Sequence, residues 1–162
     1  MFRFGKSEEE FQEFYRDHYG RIQRTIIGIT RSQMVSEELT QDAFLKAWKG
    51  LPLFGMKSTL STWIFQIAIN VALDWIRTHK MTTWVPLLET SVDLSPQGKA
   101  IEEALDELTE DDRLILVLHY YEGFKAKELK KILEVPEGTV KSRLFSAKKK
   151  LRRILLEKGF DV

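Results

Sequence analysis

Between residues 135 and 153 the chain gathers the side chains best suited to bind a polyanion. Lys141, Arg143, Lys148, Lys149, Lys150, Arg152 and Arg153 fall in this stretch, and no acid lies between Glu137 and Glu157. Ammonium and guanidinium groups hold phosphate through charge-assisted hydrogen bonds, and a guanidinium also fits the edge of guanine with two parallel bonds. Arg143 has the chemistry for that guanine contact, and it equally suits a phosphate or a neighbouring carboxylate. Lys148, Lys149 and Lys150 suit salt-dependent phosphate contacts. A basic run also describes a solvated helix face, so the elements that position these groups must decide.

Those elements are helical. Val140, Leu144, Ala147, Leu151 and Ile154 or Leu155 repeat at three- and four-residue spacing, which predicts one buried stripe with the basic residues on the other faces. Pro136 has no N–H to lose and suits the first turn, where Glu137 favours the positive end of the helix dipole. Upstream, 125–134 predicts a short helix with Ala126, Leu129, Ile132 and Leu133 inward. Only Glu134, Val135 and Pro136 separate the two. Two helices so closely joined, the second one basic, make a helix-turn-helix, and the stretch 135–153 reads as its DNA-recognition helix.

Over 162 residues the net charge is only +1, which does not by itself suggest a nucleic-acid binder. Its distribution does: Glu102, Glu103, Asp106, Glu107, Glu110, Asp111 and Asp112 cluster without a base, about thirty positions before the basic helix. A hydrophobic content of 43% supports packed cores, in one domain or two small ones. With no cysteine there is no disulfide, thiolate nucleophile or thiolate metal site, which agrees with a reducing compartment. The apolar runs are too short for a bilayer, and 1–6 lacks the apolar core of a signal peptide, so a cytoplasmic location without membrane insertion is expected. His18, His79 and His119 are far apart, and Gly55 and Gly123 are isolated turn residues rather than a phosphate loop. The acidic cluster follows helix starts and lacks the Gly and final Glu of a calcium loop. No enzyme, metal or cofactor is expected.

The rest of the chain also reads as helix, giving an all-α fold. A first helix is predicted over 8–30, with Phe11, Phe14, Tyr15, Ile22 and Ile26 on one side. A second covers 36–49, with Ser36 as N-cap, Glu37 and Glu38 in the first turn, and Leu39, Ala43, Ala47 and Trp48 as its stripe. A third covers 61–80 and buries Ile64, Ile67, Ala68, Val71, Trp75 and Ile76. Periodicity disappears over 81–98, as in a linker. A helix from near Lys99 through Leu108 follows, and then one opened by Thr109 that continues through Tyr121. The expected organisation is two small helical domains, 1–80 and 99–162, joined by a flexible linker at 81–98, the second a helix-turn-helix bundle without a wing.

Three ordered segments, 36–48, Phe54 with 58–70, and 136–143, make the chain similar to the extracytoplasmic-function sigma factors, two-domain bacterial transcription initiation factors. The resemblance covers nearly the whole chain. It implies a sigma factor that binds core RNA polymerase, directs promoter recognition and melting, and is held by an anti-sigma factor. The helix at 36–48 would dock on the polymerase clamp through Glu37, Glu38, Gln41, Asp42, Lys46 and Trp48. The loop at 55–61 and the third helix would hold the separated non-template strand of the downstream promoter element, through Lys57, Ser58, Thr62, Trp63, Gln66, Asn70, Asp74, Arg77 and Lys80. Thr139, Lys141, Ser142, Arg143, Phe145, Ser146, Lys148 and Lys149 would meet the upstream promoter element. The linker would let the domains close around the anti-sigma partner.

Beside that resemblance, Trp63 and Trp75 also read as core packing. Asn70, set between Ile69 and Val71, calls for a hydrogen-bond partner. Lys130 stands where the family commonly has a small residue at the helix crossing, and Glu134 where it often has Gly, so the turn is expected to be strained or differently shaped. The competing reading is a stand-alone helix-turn-helix regulator that binds promoters without docking on polymerase.

Overall fold

The computed structural model describes residues 7–79 and 95–162; the expectations placed on 1–6, on Lys80 and on most of the linker lie outside them. The chain forms two compact units, one holding the helices that lie before residue 80 and the other those that lie after residue 95, with no strand among the described residues.

In the first unit, α1 spans Glu8–Thr30. Ser7 caps it by accepting the Glu10 N–H at 3.3 Å, and Glu8, Glu9 and Glu10 face the positive end of the dipole. The helix ends at Arg31, which turns left-handed at φ 55° and returns its N–H to the Ile27 carbonyl at 2.8 Å. Helix α2 spans Gln33–Gly50 and starts three residues before the expected Ser36. Gln33, Met34 and Val35 carry no breaker, so the helix begins as soon as the Arg31 turn permits, with Ser32 in the capping position. Ser36 is instead fully buried: its hydroxyl donates to the Gln33 carbonyl at 2.6 Å and lies 3.5 Å from Gln23 Nε2. Glu37 and Glu38 consequently sit in the second turn.

A 3-10 turn, Leu51–Leu53, follows α2. Helix α3 spans Leu60–Thr78 and is capped by Thr59, so Ser61 belongs to the helix rather than to the loop. Ile22, Ile26, Phe44, Ile64, Phe65 and Ile69 form the centre of this unit, each at most 2% exposed. The buried face of α3 is wider than the predicted stripe: Phe65, Ile69 and Ala72 join it, while Ile67, Trp75 and Ile76 are only half-buried.

The second unit opens with α4, Pro96–Glu107, three residues ahead of the expected start near Lys99. Ser95 accepts the Gly98 N–H at 3.1 Å and Pro96 takes the first helical position. Thr109 caps α5, Glu110–Leu116, accepting the Asp112 N–H at 3.3 Å. The helix expected through Tyr121 is α-helical only this far and widens into a π-turn over Val117–Tyr121. Gly123 at φ 74° then reverses the chain into α6, Ala126–Leu133, and the basic helix α7 spans Glu137–Glu157. Pro136 occupies the N-cap position, one residue before the first turn. Leu118, Leu129 and Val140 are completely buried between these helices.

Glu134 takes the left-handed conformation itself, at φ 54° and ψ 42°. Its N–H and that of Val135 close on the end of α6, Val135 reaching the Lys130 carbonyl at 3.2 Å. The tight turn therefore keeps the form a glycine would give it, under backbone strain. Lys130 is exposed, since Leu129 and Ile132 supply the buried face of α6.

Candidate functional site

Three exposed ridges carry the side chains singled out by the sequence, two on the first unit and one on the second. Residues spaced alternately by four and three lie on one side of a helix. On α2 that spacing joins Met34, Glu38, Gln41 and Leu45, with Glu37, Trp48 and Lys49 alongside. Met34 is 91% exposed, Leu45 49% and Trp48 38%, so the ridge mixes acids and an amide with uncovered apolar surface. Asp42 lies at its margin, paired with Lys46 at 3.1 Å. Trp48 packs against Phe11, ring centroids 4.9 Å apart, and stays partly open to solvent. Beneath the acidic side, burial holds the Tyr19 hydroxyl above the usual phenol range, with Tyr15 and Glu37 adding to the shift.

On α3, Trp63, Gln66, Asn70, Asp74 and Arg77 fall within an arc of roughly 80°. Trp63 forms a shelf with Phe54, centroids 4.8 Å apart, over the end of α2. A Cβ on Gly50 would stand 3.2 Å from the Trp63 ring, so a glycine there lets the indole lie close. Asn70 is exposed between the buried Ile69 and Val71, so its amide is open to a ligand instead of needing a core partner. Asp74 and Arg77 pair at 3.4 Å. Thr62 does not join this ridge: it is 5% exposed, its hydroxyl accepts from the Thr59 hydroxyl at 2.9 Å, and its N–H is the one Thr59 caps. In the preceding loop Lys57 is exposed and Ser58 half-buried, with the Ser58 hydroxyl donating to the Thr59 carbonyl at 3.3 Å. Met56 is left-handed at φ 55°, and Leu53 is 89% exposed.

On α7 the stripe of Val140, Ala147, Ile154 and Leu155 is buried and Leu144 and Leu151 flank it half-buried. Lys141, Ser142, Arg143, Phe145, Ser146, Lys148 and Lys149 all face solvent; Phe145 is 73% exposed, and Thr139 is half-buried at the edge. The basic run is nevertheless opposed at both ends. Lys141 meets Glu137 at 3.1 Å, and this hydrogen bond holds the Glu137 carboxyl below the usual carboxylate range, helped by the charges of Lys141, Lys127 and Lys130. Lys150 is drawn to Asp112, at the start of α5, at 2.6 Å. Among the described residues no acid pairs with Arg143, Lys148 or Lys149, which leaves them the most available cations of the set.

The sequence reading missed Met34, Leu45 and Asp112. The first two follow the same four-three spacing as Glu38 and Gln41; Met34 precedes a helix beginning at Ser36, whereas Leu45 is visible from its spacing to Gln41. The third acts across thirty-eight positions, which no local pattern reveals. Among the described residues no three of His, Asp and Glu converge as a metal site, and no helix is long and apolar enough to cross a membrane.

Residues 14–82 match the family model described as Sigma-70 region 2, and residues 98–151 match that described as Sigma-70, region 4. The probable RNA polymerase sigma factor RfaY of Xanthomonas campestris pv. campestris is 32% identical over 88% of this chain. This chain spans only 41% of that relative's length. The ECF RNA polymerase sigma factor SigM of Mycobacterium tuberculosis is 29% identical, with 90% of this chain and 76% of SigM covered. In fold, the chain resembles the sigma factor RpoE of Bartonella quintana, crystallised with the anti-sigma factor NepR. The TM-score is 0.76 at 24% identity, over 91% of this chain and 97% of that one.

Proposed function

The chain belongs to the extracytoplasmic-function RNA polymerase sigma factors, and from that premise we propose that it binds core RNA polymerase and directs it to promoters. The α2 ridge carries the reading. An exposed row of Glu37, Glu38 and Gln41 set beside apolar Leu45 and Trp48 suits a basic helical partner, with charge setting orientation and on-rate and the apolar surface adding affinity. A stand-alone DNA regulator has no use for it.

Within this reading, the segment 1–80 docks on polymerase and holds the downstream element, and 99–162 reads the upstream element. On α3 the Trp63 shelf, Gln66, Asn70 and Arg77 offer stacking, base-edge and phosphate contacts to unpaired bases, with Lys57 and Ser58 at the loop. Melting needs no hydrolysis here, because binding of the extruded bases offsets their unstacking. The protein acts without catalysis, in the cytoplasm where the polymerase is. On α7, Arg143, Phe145, Lys148 and Lys149 enter or flank the major groove. An anti-sigma factor that covers these ridges would keep it inactive, and the Bartonella sigma factor of the same fold was crystallised with such a partner.

The test is co-elution of the full chain with core RNA polymerase on a sizing column, beside Glu38→Arg. Wild-type co-elution lost in the variant, whose exposed substitution leaves the fold intact, supports docking through α2. Duplex promoter binding without any association with active core polymerase would favour the stand-alone regulator.

A further inference from the structure

Of the four methionines in the chain, the two in the described residues are both at the surface, Met34 at 91% exposure and Met56 at 54%. Methionine is ordinarily a core filler, yet the cores here are built from Ile, Leu, Phe, Val and Ala. Since the chain has no cysteine, thioethers are its only sulfur. Met34 stands four residues before Glu38 and eleven before Leu45, at the head of the α2 ridge, where nothing in its own unit shields the sulfur.

We propose that Met34 is a peroxide-sensitive modification site that weakens docking when oxidised, an inference that rests on the reading of α2 as the polymerase-binding helix. In the reaction the thioether sulfur attacks the O–O bond of hydrogen peroxide and forms an S–O bond. The sulfur loses two electrons, and the other peroxide oxygen leaves as water. The apolar tip becomes a polar, chiral sulfoxide. Covering it in an interface then costs desolvation, which the thioether did not incur, while the helix itself is undisturbed because the side chain projects into solvent.

The experiment titrates the full chain against core RNA polymerase before and after hydrogen peroxide, with mass mapping of the peptide that carries Met34. Met34→Leu and Met56→Leu are run in parallel. The expected result is affinity loss on the order of tenfold for oxidised wild type and oxidised Met56→Leu, restored by methionine sulfoxide reductase. Met34→Leu, compared with itself before and after peroxide, should keep whatever affinity it starts with. Unchanged binding by a protein shown to be oxidised at Met34 overturns the inference alone, as does an equal loss in Met34→Leu. Absence of binding by the unoxidised wild type removes the docking reading, and this inference with it.

Discussion

Glu134 holds a backbone conformation that costs an L-residue roughly 1–2 kcal/mol, yet the tight turn into α7 requires it. Replacing it with glycine relieves that strain and gives back part of the gain as unfolded-state entropy. Glu134→Gly should therefore raise stability by about 0.5–1 kcal/mol, seen as a higher urea midpoint at unchanged slope. The sequence showed that a non-glycine occupied this turn but left open whether the turn changed shape or bore the strain. Thr62 shows the opposite kind of gap. Its residue type suits a nucleic-acid contact, but its burial and its bonds with Thr59 consume it in capping α3, and no residue type announces that.

Elements were legible where apolar spacing or a cap marked them. The start of α5 follows from its Thr109 cap, whereas the bounds 8–30 of α1 and the buried stripe of α7 follow from spacing alone. The start of α2 was not legible, because the left-handed Arg31 sets it and two serines compete for the cap. Contacts between elements were not legible either, and Asp112 with Lys150 is the instructive case. The carboxylate at the start of α5 holds a lysine that would otherwise join the exposed cations of α7. Asp112→Asn should release Lys150 to a phosphate and steepen the dependence of log affinity on log salt by about 0.9. Fluorescence anisotropy with a promoter duplex across a salt series measures it. The end of α7 is tied to α4 through Lys158, 2.8 Å from Glu107 and 3.5 Å from Glu103. The hydrogen bond that Lys158 donates to Glu107 raises its ammonium above the usual value of 10.5. Its contribution is therefore fully present below that pH and is lost as pH rises through the higher folded-state value. Thermal melts of wild type and Lys158→Met should differ at pH 7 and converge in strong alkali.

At the scale of the whole molecule, the near-zero net charge conceals two surfaces of opposite character, an acidic and apolar ridge on α2 and a basic face on α7. Each unit has its own centre, Ile22, Phe44 and Phe65 in one and Leu118, Leu129 and Val140 in the other. Fragments covering 1–80 and 95–162 should each give a helical circular dichroism spectrum and a cooperative melt; a fragment that melts without a transition would show that its core is insufficient. The indoles have a use of their own. Trp48 sits on the α2 ridge, half packed against Phe11, while Trp63 lies over Phe54 beside the loop that leads into α3. Partly solvated tryptophans change emission wavelength when a partner displaces their water, so each of these faces contains an intrinsic optical reporter. With the remaining tryptophans replaced by phenylalanine, Trp48 emission would follow polymerase and Trp63 quenching would follow single-stranded DNA, timing the two encounters without a label.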